Sequence, residues 1–140
     1  MSIFTPFAAL LMLALHSTAI LACGHCVEDK IAAVYDHANV MQALERKHPI
    51  AFFAIDGPLA DGTGRTLETL AESVTGVDKG STRVSMESAA MAVAFNPERT
   101  TFAKVQKALE RKFSGKKLTL QPLRIMDKPA QLKPASHRQD

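Results

Sequence analysis

Both cysteines of this chain fall in one tetrapeptide, Cys23-Gly24-His25-Cys26. Two thiolates spaced by two residues can grip one soft metal ion, or close on each other as a disulfide, and the two uses lead to different functions. For a metal ion, His25 adds an imidazole. Cu(I) accepts two or three soft ligands, so Cys23, Cys26 and His25 suffice for it, whereas a structural zinc site takes four. No second cysteine pair and no closely spaced histidine pair exists to supply the rest. His37 would stand about three helical turns beyond Cys26, ~16 Å along a straight helix, too far to join the same ion. For redox chemistry, a histidine between the cysteines stabilises the leading thiolate and makes the disulfide oxidising. A purely structural disulfide would close a very small loop and, on the chain-entropy model, stabilise the fold little.

The element that must position this tetrapeptide is a helix. From Cys26 onward, Val27, Ile31, Val34, Ala38 and Met41 recur at spacings of four and three, with Leu44 beside them, and Pro49 stops the pattern. A helix beginning near Cys23 gathers the thiols at its positive end, where the dipole favours thiolate. In front of it, residues 1–22 contain no Asp, Glu, Lys or Arg, and the run from Phe7 to Leu15 has the length of a signal-peptide apolar region. Thr5, Pro6, His16, Ser17 and Thr18 interrupt the segment, which disfavours a permanent span. We therefore expect export to the periplasm or an equivalent compartment, with membrane contact only through this segment. Cleavage fits after Ala19 or after Ala22. Ile20-Leu21-Ala22-Cys23 also loosely matches a lipoprotein box, which would place a lipid on Cys23 and remove it from metal or disulfide chemistry.

Behind the leader lies one domain's worth of chain. All 17 basic and 14 acidic residues belong to it, for a net charge of +3 that is mild and scattered along the sequence. Such a distribution lacks the stripe of a nucleic-acid binder, and with Trp absent and Tyr35 the only tyrosine there is no stacking platform. Two cysteines are too few for a disulfide scaffold, so an ordinary core must hold the body together. The loop from Gly57 to Gly64 lacks the Lys and Ser/Thr of a phosphate loop, which argues against nucleotide binding.

Within the body, Ile50 to Ile55 reads as a buried strand and the stretch from Asp56 to Gly64 as a loop. A helix follows with Leu67, Leu70, Ala71 and Val74 on one face, closed by Gly76. Thr82 to Ala89 alternates as a strand wet on one face. Met91, Val93 and Phe95 alternate with Ala90, Ala92 and Ala94 in a second strand of a hairpin. Thr100 or Thr101 caps a helix with the stripe Phe102, Val105, Leu109 and Phe113. Leu118 and Leu120 open a last strand, where Pro122 implies an edge or a bulge. The order from Ile50 to Ile125 is βαββαβ, a split βαβ arrangement with an antiparallel four-stranded sheet and two helices on one face. The expected class is thus α+β, ferredoxin-like, with an extra N-terminal helix. The expected division is a leader over 1–22, the motif and extra helix over 23–48, the ferredoxin-like domain over 49–126 and a disordered tail over 127–140. Met41, Met86 and Met91 sit at core-like spacings, His48 reads as a surface residue at a helix end, and Asp56 and Asp61 read as turn formers.

Ile55-Asp56-Gly57, Val74-Thr75-Gly76-Val77, the stretch from Thr82 to Ser88, Ala92 to Pro97 and the helix from Thr101 to Lys112 together resemble the heavy-metal-associated domain family. These are small ferredoxin-like domains of copper chaperones, metal-pumping ATPases and periplasmic mercury-binding proteins. The resemblance covers about half the chain, roughly Ile50 to Phe113. It implies a metal ion as cargo and a metal-transport or resistance protein as partner. The family's metal-binding Cys-x-x-Cys lies in the loop after the first strand. Here that loop, Gly57 to Gly64, keeps the glycine but has no cysteine. Either the metal site has moved to Cys23, His25 and Cys26, or the domain serves as a metal-free interaction module whose cysteines only crosslink. A thiol–disulfide oxidoreductase is the further alternative, since Cys-Gly-His-Cys is also the tetrapeptide of protein disulfide isomerases, although those follow a buried strand in a different order of elements. The leading expectation is an exported carrier of Cu(I) or another thiophilic ion, without catalysis. The apolar stripe of the extra helix must bury against something, the sheet or a second copy of the chain.

Overall fold

The computed structural model describes residues 22–129, with residues 22–26 described by their backbone alone. Residues 1–21 of the expected leader and 130–140 of the expected tail lie outside the described residues. The elements run α1 (Ala22–Val34), α2 (His37–Glu45), β1 (Ile50–Asp56), α3 (Gly64–Glu72), β2 (Arg83–Ser85), β3 (Ala90–Ala94), α4 (Phe102–Ser114) and β4 (Thr119–Met126). The four strands form one antiparallel sheet in the order β2-β3-β1-β4. From β1 onward this is the ferredoxin-like βαββαβ arrangement. Among the described residues no helix is long and apolar enough to cross a membrane.

The sheet is covered on both faces. β1 and β3 are central and pair with Phe52 opposite Ala92 and Phe53 opposite Met91. Because side chains alternate across a strand, this register sends two apolar sets to opposite sides. Ala51, Phe53, Ile55, Met91 and Val93 pack with Leu67 and Ala71 of α3 and with Val105, Leu109 and Phe113 of α4. On the other side, Ile50, Phe52, Ala90, Ala92 and Ala94 pack with Ile31 and Val34 of α1 and Val40 and Ala43 of α2. The alanines of β3 leave room for those helices to lie close to the sheet. Of the apolar stripe that raised the prospect of a homodimer, Ile31 and Val34 are buried against the sheet within the chain itself.

The single extra helix expected over 23–48 is in fact two. Asp36 adopts an extended backbone (φ −106°, ψ 108°) and its carboxylate accepts from the Asn39 N–H at 3.1 Å, capping α2. An Asp at such a position offers the backbone an alternative to continuing α1. The break shifts the buried phase: Val40 and Ala43 face the sheet, whereas Ala38 is exposed and Met41 only half-buried. The second expected strand is also shorter than its alternating pattern. Only Arg83–Ser85 pairs with β3, and the residues that follow form the turn.

Edge and cap signals behave as their chemistry dictates. Thr101 caps α4 by accepting from the Lys104 N–H, and Pro122 lies in an edge strand beside a bulge where Phe52 faces Arg124 and Phe53 faces Pro122. At the opposite edge, Glu72 and Glu68 of α3 accept from the backbone N–H groups of Thr82 (3.3 Å) and Val84 (3.2 Å). Donors left open by the edge strand are thereby satisfied and shielded from further pairing.

Candidate metal centre

Positions 23 to 26 form part of the first stretch of α1, with helical backbone. Residues three apart on a helix share a face, so Cys23 and Cys26 belong to one side of α1. Immediately after them the helix is tied down. Val27 packs against the α1/α2-side core, and Ile31 and Val34 are buried. The Arg124 guanidinium of β4 donates through both terminal nitrogens to the Glu28 carboxylate. That bond holds the Glu28 carboxyl below its ordinary range and pushes Arg124 upward. On another side of the helix, Lys30 Nζ donates to the Ser88 carbonyl at 2.5 Å, at the β2–β3 turn. The tetrapeptide therefore occupies the end of a helix whose next turn is fixed to the sheet from two directions.

The loop after β1, which has no cysteine, is shaped by a close backbone approach. Between β1 and α3, Gly57 has φ +121°, and a Cβ there would stand 2.5 Å from the Lys117 carbonyl oxygen. Only glycine fits, so this residue serves the close approach of the loop to the start of β4. Thr63 closes the loop by donating its hydroxyl to the Ala60 carbonyl at 2.8 Å, and its oxygen lies 3.9 Å from Met86 Sδ. Asp61 is an exposed turn residue, whereas Asp56, expected as a turn former, is the exposed last residue of β1, paired with Thr119 of β4. Among the residues whose side chains are described, no group of three or more His, Cys, Asp or Glu is placed to hold a metal ion.

The remaining candidates fall into structural roles. Met91 is fully buried, and Met41 and Met86 are half-buried. His37 begins α2, beyond the whole stretch of α1 from Cys26 to Val34, roughly 12 Å of helix. His48 departs from its reading as a surface residue. Its Nδ1 lies 2.7 Å from Asp78 Oδ2, and the two side chains are only 16% and 14% exposed. The pair fastens the segment after α2 to the approach to β2. Nothing in the sequence marks it, because the partners are distant in the chain and meet only when α2 docks.

No family model matches the sequence, and no curated protein matches it. Among solved structures, the chain is similar to oxidized MerP from Ralstonia metallidurans CH34, with 19% identity, 54% of this chain and 96% of that one covered, and a TM-score of 0.44. It is similar also to a copper binding domain from HMA7, a P-type ATPase (16% identity, 55% and 96% covered, TM-score 0.46). A third likeness is to the N-terminal domain of a potential copper-translocating P-type ATPase from Bacillus subtilis in the Cu(I)-loaded state (17% identity, 58% and 94% covered, TM-score 0.46). The strand order and the βαββαβ sequence of elements establish the ferredoxin-like fold by themselves, and the likeness to heavy-metal-associated domains is one of fold.

Proposed function

We propose that the chain is an exported carrier of a soft metal ion, held by the thiolates of Cys23 and Cys26 with the His25 imidazole assisting. Cu(I) is the preferred cargo, because two soft ligands and one imidazole satisfy it while zinc would lack a ligand. The role is sequestration, chaperoning or delivery, without catalysis, and the receiving partner is a metal-transport or resistance protein. One observation carries this reading: the chain's only two cysteines stand three residues apart at the end of an anchored helix, while the loop after β1 has none. The ferredoxin-like body then presents the motif rather than forming it. The uncharged apolar segment ahead of the motif supports an exported location.

The test is anaerobic Cu(I) competition against a chromophoric chelator, on the reduced protein and on its Cys26→Ser variant. One-to-one binding that withstands the chelator and is lost in the variant is expected. Weak binding, equal in both proteins, overturns the proposal and directs attention to the reduction potential of the cysteine pair.

A further inference from the structure

Basic residues that are dispersed in the sequence converge on one groove of the folded chain. The groove holds about 430 Å³ and lies between the end of α3, the turn before α4 and one face of α4. Its cations are Arg99, Lys104, Lys107, Arg111 and Lys112, joined by the hydroxyl-bearing Ser73, Thr75 and Thr100, and its lining contains neither a carboxylate nor an aromatic ring. Among the described residues none of the five cations has an ion-pair partner. The one acid of α4, Glu110, accepts from Gln106 and is not part of the lining.

Helix physics alone does not account for this arrangement. Arg111 and Lys112 stand in the last turn of α4, where the dipole favours cations. Lys104 stands in the first turn, where the dipole opposes them. Lys104 and Lys107 are three apart, and Lys107 and Arg111 four apart, so like charges face each other along the groove and work against the helix. Arg99 comes to the same place from outside the helix. An anion in the groove would relieve all of these repulsions together.

The shape of the cluster indicates the class of anion. Lys104 to Arg111 spans roughly 10 Å along the helix axis, more than a single phosphate or carboxylate covers. Arginine forks bind phosphoryl oxygens in pairs, and lysines supply point charges between them. With no ring to stack on, the groove has nothing with which to hold a base. We propose that it binds a linear chain of phosphoryl groups, taken either as a free condensed phosphate or as the oligophosphate of a nucleotide. This proposal is independent of the metal reading and uses none of its residues.

The test is calorimetric titration of the full chain at low salt with sodium tripolyphosphate and, separately, with ATP. It is repeated on Lys107→Glu/Arg111→Glu and on a charge-matched control, Lys79→Glu/Lys128→Glu, whose exposed positions lie outside the groove. Circular dichroism verifies that both variants are folded. Tripolyphosphate binding is expected to weaken by about tenfold or more in the groove variant and by less than about twofold in the control. ATP binding more tightly than tripolyphosphate identifies the nucleotide as the source, and equal or weaker ATP binding identifies the free chain. The proposal is overturned if tripolyphosphate does not bind, if both variants lose affinity equally, or if polyglutamate of the same charge displaces it as effectively.

Discussion

On one face of the sheet Phe53, Met91 and Phe95 meet Leu109 and Phe113; on the other, Ala90, Ala92 and Ala94 meet Ile31, Val34, Val40 and Ala43. The first face is filled by large side chains, and Phe53 also stacks on Phe102 with ring centroids 5.8 Å apart. The second is thinner, and Phe52 is its one large, fully buried ring. Burial stabilises in proportion to apolar area, so the α3/α4 side carries more of the hydrophobic stability than the α1/α2 side. The thin side has polar fastenings of its own: Glu28 with Arg124, Lys30 with the Ser88 carbonyl, and Asp36 with Arg83. The Cys-bearing helix thus rides on the more weakly held layer, where local opening costs less than global unfolding.

The strongest challenge to this contrast is Phe113→Ala. Phe113 is fully buried in the thick core, so the substitution should destabilise the whole chain by about 3–5 kcal/mol, read as a fall in the urea midpoint shared by all probes. If only α4 responds, the thick side is not the cooperative centre.

Ala92→Leu probes the thin side from within. Ala92 is 3% exposed beneath the α1/α2 layer, and added bulk there should cost about 1–3 kcal/mol. The cost should appear as faster hydrogen exchange in α1 and α2, with β1 and α4 nearly unchanged. Equal acceleration in α4 would show that the two layers open together.

The smallest effect concerns charge. The Asn39 N–H bond, and secondarily the Arg83 guanidinium, hold the Asp36 carboxyl below its ordinary 3.8. A carboxyl lowered on folding contributes stability above its unfolded value and loses it as pH falls through the folded one. Glu28 behaves in the same sense, below 4.5, through Arg124. Acidification should therefore loosen α1 and α2 before the rest of the chain, and Asp36→Asn should flatten part of that dependence. Thermal midpoints followed from neutral pH into the acid range decide it. A pH response confined to α3 and α4 would contradict the assignment of these fastenings.

Much of the architecture was legible in the residues because it depends on local periodicity. The alternation in β3 and the stripe Val105, Leu109 and Phe113 identified a strand and a helix without reference to anything distant. Thr101 and Pro122 announced a cap and an edge through chemistry confined to a few neighbours. The alanines of β3 held a further signal: a strand apolar on both sides is covered on both sides. The continuous apolar run of β1 said the same, yet which segment supplied the second cover was not written locally. Asp36, inside the single helix expected over 23–48, became a cap that broke it and displaced its buried face from Ala38 and Met41 to Val40 and Ala43.

The candidate site divides along the same line. Cys23, His25 and Cys26 are adjacent, so their pairing on one helix could be read directly from spacing, as could the absence of thiols between Gly57 and Gly64. The basic groove is the opposite case. A net charge of +3 looks diffuse along the chain, because Arg99 precedes α4 and the lysines are interleaved with its core residues. Folding winds Lys104, Lys107 and Arg111 onto one side of α4 and brings Arg99 and the end of α3 against them. His48 and Asp78, likewise, became partners only through the docking of α2. Sequence by itself determined the type and order of the elements from Ile50 onward and set both cysteines in one tetrapeptide, since both follow from neighbours within a turn or two. Tertiary structure alone decided which face each helix covers and which distant charges meet, since those depend on packing between segments whose local patterns carry no record of one another.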